Sequence, residues 1–88
     1  MIHTKELPEI FVGRGESRGF NFKQLKKSEK CYLYEVSFSG AVYYEIFKRK
    51  VNTLYNIVSY PGSKSFGSNA RTTYDFMRAL EIFEHYNK

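Results

Sequence analysis

The sequence has no tryptophan, a single cysteine, a single aspartate and two histidines, and these shortages exclude several classes of protein. Cys31 cannot form an internal disulfide, and with His3 and His85 it falls short of the four ligands of a structural zinc site. The same residues, together with Asp75, are too few to indicate a Ser/His/Asp or Cys/His catalytic set. We therefore expect a protein that is not an enzyme and that uses no metal, cofactor or disulfide.

Long apolar runs are also missing, since no stretch approaches the roughly 20 residues of a membrane span. Residues 1–10 mix Lys5, Glu6 and Glu9 with few apolar residues, and so lack the hydrophobic stretch of a secretory signal. These absences predict a cytoplasmic protein without membrane contact. A lone cysteine suits that reducing compartment.

Aromatic residues are abundant instead, with eight Tyr and eight Phe making up 18% of 88 residues. A chain of this length has room for one domain with one core, so these rings must build much of that core. No repeat or linker divides the sequence. We expect residues 1–88 to form a single domain in which residues 1–7 are flexible.

Alternation of apolar and polar residues with a period of two predicts four or five antiparallel strands. The clearest alternation precedes and follows Ser39-Gly40, a pair typical of a two-residue hairpin turn. Pro61-Gly62 ends the last alternating run. The strands are expected near residues 10–12, 20–23, 31–38, 42–47 and 54–60.

The C-terminal segment carries the pattern of an amphipathic helix. Thr72 followed by Asp75 resembles a capping box, and Phe76, Leu80 and Phe83 recur on one helical face. We predict a helix over residues 72–87 that packs on the sheet. The expected fold class is α+β, an antiparallel sheet of four to five strands with one C-terminal helix packed on it.

One helix covers one face of such a sheet, which leaves the second face open unless something else packs on it or the sheet closes into a barrel. An open face that mixes apolar side chains with cations is a binding surface or a dimer interface, so the protein is a monomer or a homodimer. The side chains expected on this face are Leu33, Tyr43, Phe47, Tyr55, Lys23 and Arg49.

The net charge of +5 is unevenly distributed. Residues 13–30 carry six Lys or Arg against two Glu, whereas residues 72–88 carry two against three acids. A basic sheet-and-loop surface suits phosphate or an acidic protein surface, and the alternative is a solvated surface that maintains solubility. The candidate binding residues are Arg14, Arg18, Lys23, Lys26, Lys27, Lys30, Lys48, Arg49 and Lys50, with the aromatic residues Tyr43 and Phe47.

The segment Arg18-Gly19-Phe20-Asn21-Phe22 resembles the RNA-contacting strand motif of cold-shock and RNA-recognition domains. The order of elements is closer to the cold-shock arrangement, although the C-terminal helix has no counterpart there. The resemblance implies that Phe20, Phe22, Tyr32 and Tyr34 stack on bases. The alternative is that these rings are core, because strongly alternating faces are usually buried.

The whole chain resembles, in general style, the small uncharacterised accessory proteins of bacteriophages and mobile elements. The likeness lies in its brevity, its aromatic-rich strands and the Tyr60-Pro61-Gly62 segment before a terminal helix. The sequence therefore predicts a small non-enzymatic binding module that contacts nucleic acid or a nucleoprotein complex through its basic surface. The alternative is an accessory protein that binds and inhibits a host or defence protein.

Overall fold

The computed structural model describes residues 4–13, 18–61 and 69–88. Within these ranges the chain forms an antiparallel sheet, a short hairpin and one helix, which confirms the α+β class. The elements are β1 (Ile10–Val12), β2 (Asn21–Lys27), β3 (Cys31–Phe38), β4 (Ala41–Lys48), β5 (Val51–Asn52), β6 (Ile57–Val58), β7 (Ala70–Thr73) and α1 (Phe76–Tyr86).

Five strands form the main sheet in the order β1-β2-β3-β4-β7, and every neighbouring pair is antiparallel. The turn between β3 and β4 has positive φ at both central residues, 52° at Ser39 and 85° at Gly40. These angles fit the two-residue turn that the sequence predicts at this position. Strands β5 and β6 pair separately as a small hairpin.

Helix α1 covers the face of the sheet that carries Leu33. The strand register pairs Leu33 with Ile46, so both side chains point to this face. The expectation that Leu33 lies on an open face is therefore wrong. The buried residues of this layer are Cys31, Leu33, Ile46, Ala79, Ile82 and Phe83.

The opposite face is also covered, because other segments of the chain pack on it. Of the alternatives that the sequence leaves, the open second face is therefore wrong. Leu7 packs on it from the N-terminal segment, and Val51, Val58 and Tyr60 pack on it from the β5–β6 hairpin and the residues that follow. The two covering segments are joined, because the backbone N–H of Val58 donates to the carbonyl of Lys5 at 2.8 Å. The buried residues of this layer are Phe22, Tyr32, Tyr34, Val36, Phe47, Val58 and Ala70.

Parallel rings fill this second layer. Tyr34 and Phe47 lie 5.7 Å apart with an interplanar angle of 4°, and Phe11 stacks on Phe22 at 4.5 Å. Burying a tyrosine requires a partner for its hydroxyl. The Tyr34 hydroxyl donates to the carbonyl of Pro8 at 2.7 Å and accepts from the Gln24 amide at 3.1 Å.

The C-terminal helix begins at Phe76, so the prediction that it starts at Thr72 is wrong by four residues. Thr72 and Thr73 belong to β7, where these β-branched residues pair with β4. Asp75 is the N-cap, and its carboxylate accepts from the backbone N–H of Met77 at 2.9 Å and of Arg78 at 3.4 Å. No helix in the described ranges is long and apolar enough to cross a membrane.

A second boundary also differs from expectation. The predicted strand over residues 54–60 is reduced to Ile57–Val58, and residues 53–56 form the turn of the hairpin. Asn52 begins this turn by accepting the backbone N–H of Leu54 on its side-chain oxygen, and Asn56 has a left-handed φ of 54°. Asparagine tolerates both roles better than most residues.

Replacing the N-cap tests how α1 is held. We expect Asp75→Ala to lower the free energy of unfolding by about 1 kcal/mol, which corresponds to about 4–8 °C in melting temperature for a domain of this size. Asp75→Asn retains an acceptor oxygen and should lose less. Thermal denaturation followed by circular dichroism measures both, and equal losses would show that the charge matters rather than the hydrogen bonds.

Candidate functional site

Six cations from two separate segments of the chain converge at one end of the main sheet. The hairpin register places Cys31 opposite Lys48, and the backbone N–H of Arg49 donates to the carbonyl of Lys30 at 2.8 Å. The end of β2, the start of β3 and the end of β4 therefore meet. We call this surface the basic end, and its cations are Lys26, Lys27, Lys30, Lys48, Arg49 and Lys50.

A β-bulge near the end of β2 distributes two of these lysines. The register shifts between Gln24 and Lys26, so that Lys26 pairs with Leu33 and Lys27 with Tyr32. Lys26 consequently lies on the face of the sheet that α1 covers. Lys27 lies on the opposite face, which carries Tyr32 and Tyr34 and which we call the aromatic face. The cations of the basic end thus lie on both faces of the sheet.

The other predicted cations lie elsewhere. Arg18 precedes β2 at the opposite end of the sheet, and Lys23 lies in the middle of β2, opposite Glu35. Arg14 is outside the described residues. The structure therefore brings together six of the nine cations that the sequence singles out.

The two aromatic candidates do not form an exposed surface. Phe47 is 1% exposed and packs against the rings of Tyr32 and Tyr34, so its placement on an open face is wrong. Tyr43 is half-buried, with its ring edge-on to Phe20 at 6.4 Å. Phe47 is therefore closed to a partner, and Tyr43 is only partly accessible.

The rings of the cold-shock-like motif are likewise engaged inside the protein. Phe20 stacks on Phe38 at 4.3 Å, and Phe22 is 2% exposed. Tyr32 and Tyr34 are completely buried. These four rings therefore contact other side chains of the protein. This arrangement agrees with the alternative that they belong to the core.

Glu6 neutralises part of the basic end and fixes the N-terminal segment. Its carboxylate accepts from Arg49 at 3.0 Å and 2.5 Å, forms an ion pair with Lys27 at 3.3 Å and accepts the hydroxyl of Tyr32. The hydrogen bonds from Arg49 lower the pKa of Glu6 to about 2, against the opposing effect of burial. Burial, followed by the hydrogen bond to Glu6, raises the pKa of Tyr32 to about 12.

The remaining lysines are more available to a ligand. Lys26 is 3.7 Å from Glu84, and Lys48 lies 5.6 Å from the centre of the Tyr86 ring. Lys30 and Lys50 are exposed and form no ion pair within the part of the chain that the structure describes. Lys30, Lys48 and Lys50 are therefore the cations of the basic end that no carboxylate of the described residues neutralises.

An open groove of about 540 Å³ adjoins these lysines. Neutral hydrogen-bonding side chains lie among its cations, and none of the described residues that line it is acidic. Such a lining suits an anion with several oxygens, because it offers both positive charge and neutral hydrogen-bond donors. The groove is lined by Lys48, Arg49, Lys50, Val51, Asn52, Ser59, Tyr60, Pro61 and Asn69.

A buried carboxylate, Glu45, contacts one of the residues that line this groove, Tyr60. Glu45 is 6% exposed and accepts the hydroxyl of Tyr60, and Tyr43 also hydrogen-bonds to it. Burial raises the pKa of Glu45 against the effect of these two donors, and burial also raises the pKa of Tyr60. Its nearest acidic neighbour along the sheet, Glu35, pairs with Tyr44 on the other face. Among the described residues, no cluster of His, Cys, Asp or Glu is arranged to hold a metal ion.

Tyr55, which the sequence predicts on the open face of the sheet but not among the candidate binding residues, lies in a turn instead. Tyr55 is 68% exposed in the turn between β5 and β6. Tyr55 lies in this turn because β5 and β6 are only two residues long. The apolar alternation of residues 54–60 predicts a longer strand that would include Tyr55. The two asparagines that bracket the turn, Asn52 and Asn56, are the sequence signal that indicates it.

The Glu6 interactions predict a specific pH dependence. The pKa of Glu6 is about 2 in the folded protein against 4.5 for an ordinary glutamate, so its stabilisation is complete above pH 4.5 and is lost as the pH falls towards 2. We expect Glu6→Gln to be less stable than wild type at pH 7 and to approach it at pH 2. Urea denaturation at several pH values measures this difference.

Glu29→Gln is the control for this experiment, since it removes an exposed carboxylate with no hydrogen-bond partner among the described residues. A constant difference between Glu6→Gln and wild type from pH 7 to pH 2 would contradict the role given to Glu6.

The raised pKa of Glu45 predicts a pH dependence of stability with the opposite sign to that of Glu6. Because its pKa is raised, the folded protein holds this proton more tightly, and stability falls as the pH rises from 4.5 through the pKa of the folded state. We expect Glu45→Gln to have a higher melting temperature than wild type at pH 7.5 and a similar one at pH 4. Glu35→Gln, on the other face, is the control, and destabilisation of Glu45→Gln at both pH values would refute the expectation.

Comparison with protein-family models, curated proteins and solved structures finds no significant match.

Proposed function

We propose that the protein is a small non-enzymatic binding module that contacts nucleic acid, alone or in a nucleoprotein complex, through phosphate contacts at its basic end. The observation that carries this proposal is the convergence of six cations from two distant segments beside an open groove. Phosphate oxygens on a nucleic acid are closely spaced, so a compact group of cations can contact several of them at once.

Within the basic end, the residues divide into two roles. Arg49 and Lys27 are held by Glu6, so they contribute to fixing the surface. Lys30, Lys48 and Lys50 are exposed and supply the charge that a phosphate would neutralise. Neutral donors in the groove, such as Asn52, add hydrogen bonds to phosphate oxygens.

A second candidate function is binding and inhibition of a host or defence protein, as an accessory protein of a bacteriophage or mobile element. The observation that favours it is the edge strand β1. Ile10 and Val12 are 73% and 58% exposed there, and β1 has no strand on its outer edge within the described ranges. An exposed edge of this kind accepts a strand from another protein.

Charge reversal at the basic end tests the first proposal. We expect Lys30→Glu/Lys48→Glu/Lys50→Glu to weaken binding of a fluorescein-labelled oligonucleotide and to lower its log–log salt slope by about 2–3, because roughly 0.7–0.9 is lost for each phosphate contact. Fluorescence anisotropy over a range of NaCl concentrations measures both quantities. Circular dichroism establishes that the variant is folded.

The matched control is Lys23→Glu/Arg71→Glu/Arg78→Glu, which changes the net charge equally at exposed positions outside the basic end. This control should retain most of the affinity and the salt slope. If both triple variants lose affinity equally, or if wild-type binding does not depend on salt, the proposal fails. Protein partners that survive nuclease treatment in affinity capture, and that the basic-end variant still captures, would then support the second candidate.

A further inference from the structure

The hairpin that follows the basic end presents an aromatic side chain outward. The side-chain oxygen of Asn52 accepts the backbone N–H of Leu54 at 3.0 Å, and the left-handed Asn56 closes the turn. This geometry leaves Tyr55 68% exposed and Leu54 77% exposed. A short turn held by its own hydrogen bonds is a defined platform for these side chains.

Tyr55 differs from the other exposed aromatic residues in having no ring contact within the described part of the chain. Phe38 stacks on Phe20, Tyr74 lies 5.7 Å from Tyr43, and Phe76 lies 5.4 Å from Tyr44. No such neighbour, and no side-chain hydrogen bond, engages Tyr55 in that part of the chain. Its ring faces are therefore open to a flat ligand.

The position of Tyr55 links it to the basic end. The hairpin begins directly after Lys50, whose carbonyl accepts the backbone N–H of Ser59 at 3.1 Å. With a rise of about 3.3 Å per strand residue, the Tyr55 backbone lies within roughly 17 Å of Lys50. Asn52 lies between them and lines the groove. The exposed Lys5 flanks the other side, since its backbone N–H donates to the carbonyl of Asn56 at 2.8 Å.

We propose that the nucleic acid bound at the basic end is single-stranded, with one of its bases stacked on Tyr55 and its phosphates on the cations on either side of the hairpin. This inference rests on the proposed function and names its ligand class. Bases in a duplex already stack on their neighbours, so a lone ring at a turn gains little from them. An unpaired base offers both faces and stacks on an aromatic side chain regardless of its identity.

The test compares one labelled oligonucleotide of about 12 nucleotides as a single strand and as a duplex, since single-strand sites commonly span about 4–16 nucleotides. We expect Tyr55→Ala to weaken single-strand binding by about 5- to 150-fold, the range that loss of one base–aromatic stack gives. Its duplex affinity and its salt slope should not change. Fluorescence anisotropy measures all three.

Two variants control for the hydroxyl and for exposed tyrosines in general. Tyr55→Phe keeps the ring and should bind within about twofold of wild type, since stacking uses the π face. Tyr74→Ala removes an equally exposed tyrosine, 75% accessible, next to the start of α1, and should bind like wild type. Thermal denaturation checks that Tyr55→Ala is as stable as wild type.

The outcomes separate this inference from the proposed function. If the basic-end triple variant loses affinity and Tyr55→Ala does not, or if Tyr55→Ala weakens both forms of the oligonucleotide equally, the single-strand inference is overturned and the proposed function stands. If neither oligonucleotide binds in a salt-dependent manner, both are overturned. Loss of a nuclease-resistant protein partner in Tyr55→Ala would then identify the turn as a protein contact.

Discussion

Burial of β3 on both faces is the constraint on which the rest of the structure depends. Four consecutive residues, Cys31 to Tyr34, have no exposed surface, so neither face of the sheet can remain in contact with water. One helix covers only one face. The chain covers the other with its N-terminal segment and with the β5–β6 hairpin, which together replace the second helix that a longer protein would use.

Polar contacts as well as apolar packing hold this second layer on the sheet. Tyrosines fill much of the aromatic face, and each buried hydroxyl needs a partner. Tyr32 donates to Glu6, Tyr34 to the Pro8 carbonyl and Tyr60 to Glu45. The rings that exclude water therefore also position the segments that cover them, and Glu6 connects this packing to Arg49 at the basic end. Core and surface charge are thus parts of one network.

Local signals in the sequence are sufficient to predict which segments form strands and which forms the helix. Apolar alternation predicts β3 and β4, and Ser39-Gly40 predicts their turn. That two-residue turn also dictates the pairing of Leu33 with Ile46 and of Cys31 with Lys48, so the register and the meeting of the basic segments were implicit in the sequence. Assigning Leu33 and Phe47 to one face conflicts with this register.

The choice of face and the position of Tyr55 were not predictable in the same way. Both sides of β3 are apolar, so alternation alone cannot indicate which side the helix covers. The cover over the aromatic face depends on contacts between Lys5 and residues 56–58, which are distant in sequence and leave no periodic pattern. The sequence predicts too early a start for α1, because Thr72 fits a capping pattern and also suits an edge strand. Its pairing with β4 decides between the two.

The β-bulge in β2 decides which face each of its last two lysines occupies. If the same residues paired regularly with no bulge, Lys26 would lie opposite Tyr32 and Lys27 opposite Cys31, so the two lysines would exchange faces. Lys26 would then lie away from Glu84, and Lys27 away from Glu6. Removing the extra residue, Leu25, would instead leave Lys26 opposite Leu33 and Lys27 opposite Tyr32, so the charge pattern depends on the number of residues in β2 and on the bulge together.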